Sequence, residues 1–282
     1  SGLIDADVTT NGQAIQFFQN SGNNSLTNSG TIRIESTGSF SPAIKVQDSN
    51  VYSITNTATG IIESSGATTV AEGIRVDDTG SSVNLITNQG NISATGIAGA
   101  RGISVLGDSA GINQINNSGS ITAQGGTGVT NGIVFWGGGT SVVNSGSITG
   151  TATDENANGI HSARDLTTLN NSGAISGSRH GVSVEGTLTN IINTGTITGT
   201  AGYGVNNGGS ITNLTNLQNN LTYNGKLPTN YYVKVNSSSS YGKIYFTSAS
   251  GSMNIGIADD STLTEGTYED ALDGVTSSNI AI

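Results

Sequence analysis

The sequence predicts an all-β fold, namely a parallel β-helix (β-solenoid) of about eight coils that is closed by a C-terminal β cap. Three observations predict it: a tripeptide that recurs at a nearly constant interval, a second column of residues in a fixed phase to the first, and short runs that alternate apolar and polar residues. We expect three short strands per coil, each pairing with the equivalent strand of the coils above and below.

The recurring tripeptide is Asn, then Ser, Gln or Thr, then Gly. It begins at Asn28, Asn88, Asn117, Asn144, Asn171 and Asn193, and Gly60 occupies the slot in which the tripeptide is missing. Successive glycines are therefore 30, 30, 29, 27, 27 and 22 residues apart. A period of this size is typical of solenoids, in which each repeat buries its apolar face only against its neighbours.

The second column is a small residue followed by Ile or Val. It recurs as Ala14-Ile15, Ala43-Ile44, Gly73-Ile74, Gly102-Ile103, Gly132-Ile133, Gly159-Ile160, Gly181-Val182 and Gly204-Val205. The residues after it alternate, as in Ile103-Ser104-Val105, which is the pattern of a half-buried strand. We expect the intervening residues to form an exposed ladder on one face: Gln16, Lys45, Arg75, Ser104, Val134, His161, Ser183 and Asn206.

We interpret the asparagine column as structural. Gly and Asn tolerate positive φ at a sharp corner at the least cost. Asparagines at the same corner of successive coils can also donate their side-chain amides to one another. The sequence thus predicts a structural ladder of Asn28, Asn88, Asn117, Asn144, Asn171 and Asn193.

Composition excludes several function classes. The chain of 282 residues has no Cys, which excludes disulfides, thiol catalysis and thiolate metal sites. Nine Lys and Arg against 19 Asp and Glu give a formal charge of −10, which disfavours binding to nucleic acid. No run of about 20 apolar residues is present, so membrane attachment is expected only through a translocator barrel outside this sequence. The polar, weakly charged composition is typical of secreted β-solenoids, and any export signal is expected to have been removed.

The character of the chain changes near Leu217. Six of the eight tyrosines follow this position, together with longer alternating runs such as Tyr232–Val235 and Lys243–Phe246. We therefore divide the chain into solenoid repeats at 1–216 and a β-rich cap at 217–282, built of hairpins or of further irregular coils. Such a cap would cover the apolar cross-section at the end of the solenoid.

These features resemble one family. The Asn-Ser-Gly-Ser-Ile-Thr coils, the segments 221–231 and 241–242, and the closing stretches 261–268 and 272–275 resemble the passenger region of bacterial type V autotransporters. The resemblance implies a right-handed β-helix, export through the outer membrane, and an adhesive or self-associating role. The sequence departs from the complete family pattern because it contains no translocator barrel.

The alternative is a carbohydrate-active β-helix enzyme, such as a polysaccharide lyase or hydrolase, or a glycan-binding module. Such a site needs carboxylates clustered with basic residues on one face. The best candidate group is His161, Arg164 and Asp165 on one coil with Arg179, His180 and Glu185 on the next. The two histidines occupy different positions in their repeats, so we interpret all six as solvated turn residues and expect no catalytic residue.

Two further groups suggest ligands. Asp48, Asp78 and Asp108 follow the Ile of the second column at similar distances and could hold Ca²⁺, although ordinary turn aspartates are the favoured interpretation. Trp136, the single Trp, follows Phe135, which we expect to fill the core. Trp136 could contact a glycan from the surface, although packing or a loop role is favoured.

The sequence therefore predicts a non-enzymatic, extracellular β-solenoid without a cofactor. Its partners are expected to be copies of itself on neighbouring cells, or a host surface, matrix or glycan. Many weak polar contacts along its lateral face would add up by multivalency.

Overall fold

The computed structural model describes residues 2–19 and 24–281. It confirms the all-β parallel β-solenoid. In chain order the first 15 strands are β1 (Leu3–Val8), β2 (Ile15–Phe18), β3 (Asn24–Asn28), β4 (Thr31–Ser36), β5 (Phe40–Gln47), β6 (Asn50–Asn56), β7 (Ile61–Ser65), β8 (Val70–Asp77), β9 (Ser82–Asn88), β10 (Asn91–Thr95), β11 (Gly99–Leu106), β12 (Gly111–Asn117), β13 (Ser120–Gly125), β14 (Thr130–Phe135) and β15 (Gly138–Asn144).

The remaining elements are β16 (Ser147–Ala152), β17 (Ala157–Ser162), β18 (Leu166–Asn171), β19 (Ala174–Gly177), β20 (His180–Val184), β21 (Thr187–Asn193), β22 (Thr196–Gly199), β23 (Val205–Asn207), β24 (Ser210–Asn216), β25 (Asn219–Lys226), β26 (Asn230–Val233), β27 (Val235–Ser237), β28 (Ser240–Tyr241), β29 (Lys243–Ser250), β30 (Asn254–Ile257), β31 (Leu272–Asp273) and a 3-10 turn at Ser277–Asn279.

Three parallel sheets run along the rod, one for each strand of a coil. The first has 8 strands, from β1 to β22; the second has 11, from β2 to β31; the third has 10, from β3 to β30. Each strand pairs in parallel with its equivalent one coil away, as Ile92 of β10 pairs with Ile62 of β7 and Ile121 of β13. The stack thus comprises about ten coils rather than eight, because coils continue into the C-terminal segment.

The core is a set of apolar columns inside the coils. Ile92 and Ile121 of the first sheet, Ile103 of the second, and Ile115 of the third are completely buried. Phe135 is also buried, as expected, in register with Val105. Because most inward side chains pair in register with an inward side chain of the next coil, as Ile103 does with Ile133, a change at one rung affects its two neighbours.

Beyond the predicted boundary at residue 216 the coils no longer contain a strand of the first sheet, but they continue to stack. The last strand of the first sheet is β22, whereas β25 and β29 extend the second sheet and β26 and β30 extend the third. Larger side chains fill the coils here: Tyr223 and Tyr231 are buried and both contact the ring of Phe246. Strands β27 and β28 form the antiparallel pair of this segment.

Candidate functional site

Buried asparagines at one corner form a continuous hydrogen-bonded column. Each side-chain amide donates to the next side-chain oxygen, for example Asn88 Nδ2 to Asn117 Oδ1 at 2.8 Å and Asn117 Nδ2 to Asn144 Oδ1 at 2.7 Å. The same amides donate to backbone carbonyls, as Asn88 Nδ2 does to Ser120 O at 3.0 Å. The column comprises Asn28, Asn56, Asn88, Asn117, Asn144, Asn171, Asn193 and Asn216. These side chains are closed to solvent and therefore to ligands.

The glycines of this corner have a different role from the one expected. The tripeptide glycines are not among the positive-φ residues of the described chain, so the explanation from φ is wrong. The coils instead approach closely here: a Cβ on Gly119 would overlap the carbonyl oxygen of Gly90, and a Cβ on Gly146 would overlap that of Gly119. Glycine is needed because backbone lies against backbone.

A concave groove runs along the outside of the second sheet. Its strands break the alternation at the glycine column, where Gly102 and the next residue, Ile103, both face inward against the core. The residues on either side of this pair then face each other outside the coil. One wall of the groove is Pro42, Glu72, Arg101, Asn131, Asn158 and His180, and the other is Lys45, Arg75, Ser104, Val134, His161 and Ser183.

The groove corrects the expectation of an exposed ladder. The column from Gln16 to Asn206 does pair in register from coil to coil, and Gln16 is exposed as expected, but the members from Lys45 to Asn206 are partly or fully buried in a concavity. Ser104 and Val134 have no exposed surface, and Ser104 Oγ donates to Glu72 Oε1 at 2.8 Å. Alternation distinguishes inside from outside, but it does not show whether the outside is convex or concave.

An ionic network fills the middle of the groove. Glu72 is fully buried and accepts from Arg101 Nη1 at 3.0 Å through one oxygen and from Arg75 Nη1 at 2.9 Å through the other. Asp77 accepts from Arg75 Nη2 at 2.6 Å, and Lys45 Nζ lies 3.9 Å from the same carboxylate. One buried carboxylate thus holds two guanidinium groups from neighbouring coils.

The two arginines differ in how well their charges are compensated. Burial would lower the pKa of Arg75, but the attraction of Glu72 and Asp77 outweighs it and leaves the pKa raised. Burial lowers the pKa of Arg101, for which Glu72 is the compensating carboxylate. Trp136 adds to the stabilisation of this cation, because the Arg101 guanidinium carbon lies 4.3 Å from its ring centroid. Trp136 therefore lies in the groove and not on an open face.

Beyond this network, the groove opens into a cavity of about 320 Å³. Trp136 lines it, together with four residues of the candidate catalytic group: His161, Arg179, His180 and Glu185. His161 contacts Trp136 edge to face at a centroid distance of 6.5 Å, and its Nε2 lies 3.9 Å from Glu185 Oε2. The interpretation of both histidines as solvated turn residues is therefore wrong, because they lie on β17 and β20 and are largely buried.

The other two members of that group lie outside the cavity. Arg164 Nη2 binds Asp108 Oδ1 at 2.7 Å on an exposed surface. Asp165 accepts from the backbone N–H of Thr187 at 3.2 Å. The groove thus brings together four of the six residues of the candidate group, and the two histidines occupy opposite walls.

The histidine environments predict a pH dependence of stability. Burial, followed by the positive charge of Arg179, lowers the pKa of His180 to about 4. In the unfolded chain this pKa would be about 6.5. The folded state therefore disfavours the proton, so the contribution of His180 to stability is complete above about pH 6.5 and is lost as the pH falls towards 4.

We expect the His180→Asn variant to lose less stability than the parent chain between pH 6.5 and pH 4. Asn does not titrate in this range, and its Oδ1 can replace His180 Nδ1 as acceptor of the Tyr203 N–H, a bond of 3.1 Å. Thermal unfolding of both proteins across this range, referenced to pH 8, measures the difference. Parallel melting curves would contradict the assignment.

The three aspartates considered for Ca²⁺ occupy turns. Asp48 and Asp78 have φ of 48° and 68°, a conformation that Asp tolerates in turns. Asp78 accepts from Gln47 Nε2 at 2.6 Å, and Asp108 pairs with Arg164. Within residues 2–19 and 24–281, no group of three or more Asp, Glu or His side chains is arranged to hold a metal ion.

Sequence reasoning missed a second asparagine ladder, on the outer face of the third sheet. Nδ2 of Asn213, Asn230 and Asn254 each donates at 2.8 Å to the oxygen of the preceding member, which begins with Asn190. Beside it lies a cleft of about 510 Å³ with Ile192, Tyr232 and Asp260 in its lining. Asn190 and Asn213 stand three residues before Asn193 and Asn216 of the buried ladder, and this spacing indicates the start of the second ladder but not its continuation at Asn230 and Asn254.

The outer face of the first sheet is a strip of hydroxyl and amide groups, which we call the hydroxyl face. It is formed by outward residues of β10, β13, β16, β19 and β22, and its central column is Ser93, Thr122, Thr149, Ser176 and Thr198. Thr149 Oγ1 and Ser176 Oγ are 3.1 Å apart and share a hydrogen bond. These five strands contain no charged residue, whereas Arg33 and Glu63 pair on the earlier coils of the same face.

Comparison of the chain with protein-family models, with curated proteins and with solved structures gives no match. Among the described residues there is no helix long and apolar enough to cross a membrane. The fold alone assigns the protein to a class, the parallel β-solenoids.

Proposed function

We propose that this protein is a secreted or cell-surface structural β-solenoid that mediates self-association through its lateral polar surface. It would act as an autotransporter passenger of the adhesive type, without catalysing a reaction. The observation that carries the proposal is the hydroxyl face, an uncharged polar strip across five coils. With strands about 4.8 Å apart, this strip is about 20 Å long.

An uncharged polar face suits contact between two copies. Burying a charge in an interface carries a large desolvation penalty, whereas hydroxyl and amide groups can exchange water for partners on the other chain. Because the columns repeat at the coil spacing, two rods can align many equivalent groups at once. Many copies on one surface would then bind cooperatively, although each contact is weak.

The net charge opposes the approach of two copies. At a formal charge of −10, long-range repulsion acts until salt screens it. Self-association is therefore expected to strengthen with ionic strength. Interfaces that depend on ion pairs behave in the opposite way, so the salt response distinguishes the two mechanisms.

The alternative function is that of a carbohydrate-active enzyme, and the groove cavity is the feature that favours it. Glycoside hydrolysis uses a pair of carboxylates on the two sides of the scissile bond. Among the described residues that line the cavity, Glu185 supplies the one carboxylate, and its side chain is 65% exposed. Incubation with a panel of polysaccharides tests the alternative: new reducing ends or unsaturated products would establish an enzyme.

Beads that display the whole chain are expected to cluster, and to cluster more at 0.5 M salt than in dilute buffer, because screening removes the repulsion. The double variant Thr122→Glu/Thr149→Glu should disperse them, since it puts carboxylates at the centre of the hydroxyl face. Turbidity and light microscopy of the beads measure the effect.

The matched control is Thr55→Glu/Thr87→Glu, which adds the same charge to two register-paired outward positions of the third sheet. Its beads should cluster as the parent beads do. Beads of the parent chain that stay dispersed at every salt concentration, yet bind a polysaccharide or matrix coating, would refute self-association and support attachment to another surface.

A further inference from the structure

We propose that the groove cavity beside Trp136 is a binding site for a neutral saccharide. The cavity lies between strands β14, β17, β20 and β23, whereas the hydroxyl face belongs to the first sheet. The two sites are therefore independent, and failure of one leaves the other standing. At about 320 Å³ the cavity has room for one or two sugar rings.

The first argument is the fixed aromatic ring. Arg101 covers the Trp136 ring at 4.3 Å, and His161 contacts it edge to face, so the indole is held in one orientation. Its remaining surface lines the cavity. A pyranose ring presents C–H groups on one face and hydroxyl groups around its rim, which matches an aromatic surface bordered by polar side chains.

The second argument is the polar lining around the ring. Asn156, Asn158 and Ser183 line the cavity with amide and hydroxyl groups. A sugar hydroxyl both donates and accepts hydrogen bonds, so it can pair with either kind of group.

The third argument is charge, which selects neutral saccharides over acidic ones. Arg179 and Glu185 contribute one charge of each sign to the lining, and an adjoining cleft that shares Arg179 adds Asp154 and Glu155. Burial lowers the pKa of both His161 and His180, so neither is a cation at neutral pH. The net charge of −10 also repels polyanions.

The single tryptophan of the chain makes the test direct, because fluorescence excited selectively at Trp reports on the surroundings of this one ring. Titration of the whole 282-residue chain with maltose, cellobiose and lactose is expected to give a saturable change in emission for at least one of them at millimolar concentration. Digalacturonate, an acidic disaccharide, should give a weaker response. Calorimetry under the same conditions measures the affinity independently.

The variant Ser183→Leu places a branched side chain in the cavity and should weaken the binding at least about tenfold. Ser141→Leu, at an outward position of β15 in the third sheet, is the matched control and should bind like the parent. Trp136→Ala, followed by calorimetry, provides a second variant in case Ser183→Leu fails to fold. Circular dichroism melts establish that each variant is folded.

Three results would overturn the proposal. The first is the absence of a saturable response of the parent protein to any of the three neutral disaccharides. The second is tighter binding of digalacturonate, which would replace the neutral class by an acidic one. The third is unchanged binding in folded Ser183→Leu and Trp136→Ala, which would move the site away from the cavity.

Discussion

Replacement of Ile103 with Asp is expected to destabilise the protein by about 4 kcal/mol or more, with unfolding of the adjoining coils. Ile103 has no exposed surface and stacks between Ile74 and Ile133 of the neighbouring coils. The variant would bury a carboxylate between two apolar side chains without a hydrogen-bond partner. Thermal and denaturant unfolding of the whole chain measure the loss.

The chain offers a matched control in Ile97→Asp. Ile97 is 66% exposed in the turn before β11, so the same chemical change there should alter stability by less than about 0.5 kcal/mol. The alternation alone favours Ser104→Asp as the control, but Ser104 is buried against Glu72, and the variant would place two carboxylates against each other. Equal melting temperatures for Ile103→Asp and Ile97→Asp would contradict the burial described here.

The stacking of the coils could be predicted because period and phase determine it. Two columns that keep a constant phase over eight repeats require equivalent residues to lie one above the other, and Ile92, Ile121 and Ile148 do so. The ladder predicted from the sequence lacks Asn56 for a local reason. Two extra residues separate Asn56 from Gly60, which hides the tripeptide although the side chain still bonds to Asn88.

The end of the asparagine ladder could not be predicted from the tripeptide, because Gln218 supplies a hydrogen-bond acceptor there in place of a further tripeptide. After Asn216 the glycine is missing, and Gln218 takes over: its Oε1 accepts from Asn193 Nδ2 at 3.1 Å and from the Ile197 N–H at 2.7 Å. A side chain thus performs what a backbone carbonyl does in earlier coils. A periodic sequence pattern does not show that one hydrogen-bond acceptor has been replaced by another.

The groove could not be predicted for a geometric reason. A period of two residues assigns each side chain to the inside or the outside, and Arg75 and His161 are on the outside as expected. The contact of Glu72 with Arg75 and Arg101 depends on the bend between the two walls. One signal was available: a small residue directly before an inward Ile implies two consecutive inward positions, which ordinary alternation does not allow.

Glu72→Ala is expected to be the most damaging substitution of a polar residue. It would leave the buried guanidinium groups of Arg75 and Arg101 facing each other without the carboxylate that now bonds to both. Removal of one partner from a buried ion pair typically costs about 3–5 kcal/mol. Arg75 retains Asp77, so the larger part of the loss is expected at Arg101, whose pKa burial already lowers.

Glu63→Ala is the control for this last change, because Glu63 also pairs with an arginine of a neighbouring coil but does so in solvent. Arg33 Nε and Glu63 Oε2 are 3.2 Å apart, and both side chains are more than one-third exposed, at 44% and 35%. An exposed pair of this kind contributes at most about 1 kcal/mol.

If denaturant unfolding gave Glu72→Ala and Glu63→Ala equal losses of stability, Glu72 would not be the centre of the groove network. If the double variant Glu72→Leu/Arg101→Leu recovered the stability lost in Glu72→Ala, the unpaired Arg101 charge would be established as the cause.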